Sequence, residues 1–195
     1  PSLNSIAYKI FTYCSGVIPM NGLYRLDYFK KNNIDWIIYR GNDHSSDSIN
    51  SLHFIKNGMK YGMINKNLIY YRVHGGSCSH RVGERIRTSL SVYDYIIKNF
   101  DEEIYLPNIK WNTCAFRKQL KNYVIASFYY NRIQAYMRCE GLPNHIKLTV
   151  SRDLVKESTI AYIEEGLRYV REGLAQGDAL KNELTELEKK YESLT

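Results

Sequence analysis

The sequence predicts an α/β front part, a partial sheet with helices over residues 1–82, followed by an all-α helical region over residues 83–195. Three observations predict it. Short apolar and aromatic runs, "IDWIIY" and "LIYYRV", read as strands in the first part. Between them, "DSINSLHFIKNG" carries Ile49, Leu52 and Ile55 at helical spacing. Beyond Val82 the apolar residues recur every three or four positions, the period of a helix. An apolar share of 44% in 195 residues is enough to build a core.

The elements follow in order. Residues 6–18 are mostly apolar or aromatic and end at Pro19. "LYRLDYFKKN" places Leu23, Leu26 and Phe29 on one helical face, with Asn32-Asn33 as the stop. "IDWIIY" is then a short strand, and "RGNDHSS" a polar loop that ends in residues suited to open a helix. The helix so opened closes at Gly58, where a C-terminal glycine belongs. "KYGMI", a turn at "NKN", and "LIYYRV" read as a hairpin. Ile86, Leu90, Tyr93 and Ile97 line the next helix, and Pro107 opens a long one that stops at Gly141-Leu142-Pro143. In the last stretch Ile163, Leu167, Val170 and Leu174 form an apolar row. "QGD" interrupts it, and Leu180, Leu184, Leu187, Tyr191 and Leu194 resume it, which predicts an antiparallel helical hairpin.

Composition narrows the function classes. No run of about 18 uncharged apolar residues exists, so no membrane span is expected, and the first 20 residues do not have the pattern of a signal peptide. The expected location is the cytoplasm, at most against the inner face of the membrane. The chain opens on Pro1 rather than Met and reads as a fragment or processed product. Cys14, Cys78, Cys114 and Cys139 form no CxxC pair, which excludes a zinc knuckle or redox motif of that type. Residues 1–150 carry a net charge of +10 and residues 151–195 one of −3, so the basic part faces an anion such as a nucleotide-sugar phosphate, a lipid phosphate or nucleic acid. The 18 tyrosines, with abundant Asn, Lys and Ile, look in part like the codon bias of an AT-rich genome and are discounted as evidence for stacking on bases or sugars.

Two places bear chemistry. Asp47 opens a predicted helix, where the free N–H groups and the helix dipole favour a carboxylate aimed back at the polar loop. A carboxylate there can act as a general base toward a sugar hydroxyl, or can simply cap the helix. The second place is "LIYYRVHGGSCSHR". An apolar run ends there in Arg72, His74, two glycines and small hydroxyls, groups able to hold a phosphate or a metal. Each has a plain structural reading too: His74 as a turn residue, Arg72 as a loop clamp, and "GGSCS" as a flexible turn.

Taken together, the acidic residue opening a helix, the closing Gly58, the short run "KYGMI" and then "YYRVHGGSCS" resemble the C-terminal half of a family 2 glycosyltransferase of GT-A fold. The likeness covers about residues 5–82, and "MNGLYRLDYFKKNNIDW" is similar to that family's segment near the acceptor and donor sugar. The resemblance implies inverting transfer of a sugar from a nucleotide diphosphate sugar to a saccharide or lipid-linked acceptor, in cell-surface polysaccharide synthesis. It assigns Asp47 as catalytic base and His74 as a ligand of a divalent cation, Mn2+ or Mg2+, that neutralises the leaving diphosphate. Arg72 and Arg81 would brace the loop or the diphosphate, Asn21, Gly22 and Trp36 would line the sugar cleft, and Ser46 would join in binding donor or acceptor. Two departures stand out. Ser46 occupies the place of the family's usual glutamate, and no Asp-x-Asp motif or nucleotide-binding half occurs in these residues, so the chain is expected to be inactive alone.

The helical remainder offers other partners. Residues 81–138 mix basic and aromatic side chains, which suits peripheral binding to an anionic membrane carrying a lipid-linked acceptor. The simpler reading, and the favoured one, buries Trp111, Phe116, Leu120, Tyr123 and Phe128 in a core and leaves Lys and Arg wet. A non-catalytic helical module for protein–protein interaction is the alternative function. Nucleic-acid binding ranks last and is not expected, since no RNP, helix-turn-helix or finger motif is present.

Overall fold

The computed structural model describes residues 7–8, 11–12, 25–32, 46–58, 60, 66, 81–140 and 150–194. Among these residues 77% are helical and none lies in a strand, so the described residues form an all-α fold, and the α/β expectation for the front part is overturned there. The physical reason lies in what covers the apolar side chains of that part. Phe11 is buried against two aromatic rings carried by helices, Tyr93 at 5.6 Å and Tyr105 at 5.0 Å between centroids. The strands read at residues 34–39, 60–64 and 68–73 fall outside the described residues, except Lys60, which has no regular secondary structure.

Seven α-helices with defined bounds occur among the described residues. They are α1 (Leu26–Lys31), α2 (Ser46–Lys56), α3 (Val82–Asn99), α4 (Glu102–Tyr105), α5 (Arg117–Met137), α6 (Arg152–Leu174) and α7 (Lys181–Glu192). The chain divides into two compact units. The first holds residues 1–81 and 91–108, the second residues 82–90 and 109–195.

In the first unit, α1 ends where Asn32 turns its side-chain amide back onto the Tyr28 carbonyl at 2.8 Å, a local bond that competes with the next helical turn. Phe29 of α1 meets Phe54 of α2 edge to face at 5.1 Å, while Leu26 stays 67% exposed. The α1 face expected from Leu26 and Phe29 is therefore only half used. The Tyr28 hydroxyl donates to the Asn57 carbonyl at 2.6 Å and ties α1 to the end of α2. Lys56 donates to the Asn99 carbonyl at 2.8 Å and lies over the Phe100 ring, joining α2 to the end of α3.

In the second unit α5, α6 and α7 pack side by side. The start of α5 meets the end of α6 through Gln119 and Gly173, and the end of α5 meets the middle of α6 through Tyr136 and Tyr162, so these two run antiparallel. Helices α6 and α7 are also antiparallel, with Leu184 over Gly173 and Tyr191 over Gly166. Ser151 caps α6 by accepting the Asp153 N–H at 3.2 Å. The Tyr162 hydroxyl donates to the Ile86 carbonyl at 2.7 Å, which holds the first half of α3 to α6.

The long helix expected from Pro107 begins ten residues later, at Arg117. Before it, Trp111 opens a short 3-10 turn and is buried, with the Arg117 guanidinium 5.7 Å from its ring. Of the five side chains expected to form the core here, Trp111 is buried, Leu120, Tyr123 and Phe128 are half-buried, and Phe116 is 42% exposed. The inner face of α5 is instead Gln119, Asn122, Ile125, Ala126, Tyr129, Ile133 and Tyr136. Helix α5 closes with Cys139 at φ 57°. The Cys139 N–H bonds the Tyr136 carbonyl and the Glu140 N–H the Ala135 carbonyl, both at 2.7 Å, a Schellman end without its usual glycine.

Candidate functional site

Helix α2 carries the only sequence-assigned site residues that lie within a described helix: Ser46 is its first residue and Asp47 its second. The local sequence accounts for this. Small polar residues satisfy the free N–H groups of a first turn, and the apolar residues that follow provide the buried surface that holds the helix in place. Five consecutive residues, Ser48 to Leu52, are all buried, and so is Phe54. A run of that length covers every side of a helix, so α2 is embedded around its whole circumference just beyond Asp47. At its far end Gly58 takes φ 79°, the left-handed conformation that stops a helix and that glycine adopts without strain.

The other assigned residues are distributed as follows. Arg81 is exposed and immediately precedes α3, with φ −84° and ψ 83°. Asn21, Gly22, Trp36, Arg72 and His74 lie outside the described residues. The structure therefore brings Ser46 and Asp47 together on one helical turn and sets Arg81 at the head of a different helix. Among the described residues no group of three or more His, Cys, Asp or Glu side chains is placed to hold a metal ion.

Sequence periodicity missed the polar part of the α2 surround. Ser48, Asn50 and Ser51 are buried at 8%, 0% and 2% exposure, beside the expected apolar Ile49 and Leu52. Buried polar groups of this kind require hydrogen-bonding surroundings, and their small size lets neighbouring elements come close. The available signal was the short spacing "SINS", which is too polar for a simple apolar stripe and too apolar for a solvated face.

The tyrosines also have places that composition did not foretell. Tyr129 is stacked on Tyr169 at 6.0 Å and meets Tyr162 edge to face at 5.8 Å, while Tyr130 meets Tyr191 at 5.5 Å. Burial pushes the phenols of Tyr95, Tyr169 and Tyr191 up from their ordinary value, so they stay protonated, and the Tyr191 hydroxyl donates to the Ala126 carbonyl. No described helix is long and apolar enough to cross a membrane. Comparison of the chain with protein-family models, with curated proteins and with solved structures gives no match in any of the three.

Proposed function

We propose that these residues belong to an inverting glycosyltransferase that uses a nucleotide diphosphate sugar, with Asp47 as the base that deprotonates the acceptor hydroxyl. The observation that carries this reading is the place of Asp47 in the first turn of a helix whose next five residues, Ser48 to Leu52, are all buried and which is closed by left-handed Gly58. A base must be held within hydrogen-bond reach of the proton that it removes, and a helix anchored by buried residues positions its first turn more firmly than a loop does. "YYRVHGGSCS" supports the reading from the sequence side, offering Arg72 to the donor diphosphate and His74 to a divalent cation. Such a cation, Mn2+ or Mg2+, would supply Lewis-acid stabilisation of the leaving diphosphate when bound. Asn21, Gly22 and Trp36 are proposed for the sugar cleft, Ser46 for donor or acceptor binding beside Asp47, and Arg81, with Arg72, for bracing the loop or the diphosphate. The acceptor is a saccharide or lipid-linked saccharide of cell-surface polysaccharide synthesis, met at the inner face of the membrane.

The test uses the longest natural chain that contains these residues. Asp47→Asn is expected to abolish sugar transfer while nucleotide-sugar binding, followed by calorimetry with Mn2+, survives. Transfer at the parent rate by Asp47→Asn would overturn the assignment of the base. Loss of donor binding together with transfer would make Asp47 a structural cap instead.

A second reading, a non-catalytic helical module for protein–protein interaction, is favoured by the mostly helical, strand-free character of the described residues. Binding of UDP-sugars that disappears in His74→Ala favours the transferase. Absence of any nucleotide-sugar binding by the natural chain favours the module.

A further inference from the structure

We draw no further inference here: the strongest candidate, the exposed apolar side chains Leu154 and Ile160 on the first half of α6, carries nothing because no observation in the structure shows what covers them.

Discussion

The hydroxyl of Tyr191 occupies the space in which a side chain at Gly166 would begin. Tyr191 stands on α7 and Gly166 in the middle of α6, and the same hydroxyl donates to the Ala126 carbonyl of α5 at 2.6 Å. One phenol thus joins three helices, and it fits because α6 has no Cβ at that point. Seven residues along, Gly173 repeats the arrangement for Leu184, whose Cδ1 lies 2.9 Å from where a Cβ would be. Glycine inside a helix costs about 1 kcal/mol relative to alanine. Here that cost is offset by close packing of α7.

Gly166→Ala is therefore expected to destabilise the protein by about 2–4 kcal/mol, combining overpacking with a lost buried hydrogen bond. In a Tyr191→Ala background the sign should reverse, since only the gain in helix propensity remains, about 1 kcal/mol. Urea denaturation of the four proteins of this cycle checks it. Additive effects would show that the two residues do not share the space.

Gln119 is buried, and its carboxamide bonds three backbone groups at the α6–α7 junction. Its Nε2 donates to the Gly173 carbonyl at 3.1 Å and to the Gly177 carbonyl, and its Oε1 accepts the Leu180 N–H at 3.0 Å. Gln119→Leu keeps the volume and strands those groups, at a cost of about 2–4 kcal/mol. Amide hydrogen exchange should show the Leu180 N–H losing protection first. Unchanged protection there would mean that the junction is held by other contacts.

Two helix ends make opposite predictions from one cause. Gly58→Ala places a Cβ at φ 79°, with only the Tyr28 hydroxyl near, at 4.0 Å, among the described residues, so the loss is conformational, about 1 kcal/mol. Gly58→Asn should lose less, because asparagine tolerates the left-handed region. Cys139 already sits at φ 57°, so Cys139→Gly is expected to stabilise by about 0.5–1 kcal/mol. Thermal melts of the three variants test the set, and a destabilised Cys139→Gly would refute the assignment of that end.

Alkaline pH should weaken the second unit through its buried phenols. Burial raises Tyr191 and Tyr169 above the ordinary 10.0, so the stability linked to them is fully present below that pH. It is lost as pH rises further, because the unfolded chain releases protons that the folded chain retains, at about 1.4 kcal/mol per pH unit for each such group. Tyr191→Phe removes one of these contributions and costs about 1 kcal/mol near neutrality for the lost hydrogen bond. Urea midpoints followed through the alkaline range should fall less steeply in Tyr191→Phe. An equal fall in both proteins would count against burial of this phenol as the cause.

Much of the local structure was legible because its signals act between near neighbours. Helix α2 runs from Ser46 to Lys56 with Gly58 just beyond, and the residues that mark both ends are of the types that satisfy free N–H groups or relax a left-handed backbone. The interruption at Gln176-Gly177-Asp178 separates α6 from α7 through Gly177 at φ 145°. The buried faces were less legible. The apolar row on α6 included Leu167 and Leu174, which are half-buried, whereas Gly166, Tyr169 and Gly173 are buried. A glycine adds nothing to an apolar pattern, yet it admits the neighbouring helix most closely.

The sequence by itself determined where helices such as α2, α6 and α7 run, and that Asp47 stands at the head of one of them. It did so because capping, glycine and spacing preferences are settled within a few residues. Only the tertiary structure decided that the described residues form an all-α fold, that Gln119 and Asn122 face inward on α5, and that α2 is embedded on every side. Those outcomes depend on which distant element covers each surface. A buried amide or a bare glycine is favourable only when its partner, such as Leu180 for Gln119 or Tyr191 for Gly166, arrives from elsewhere in the chain.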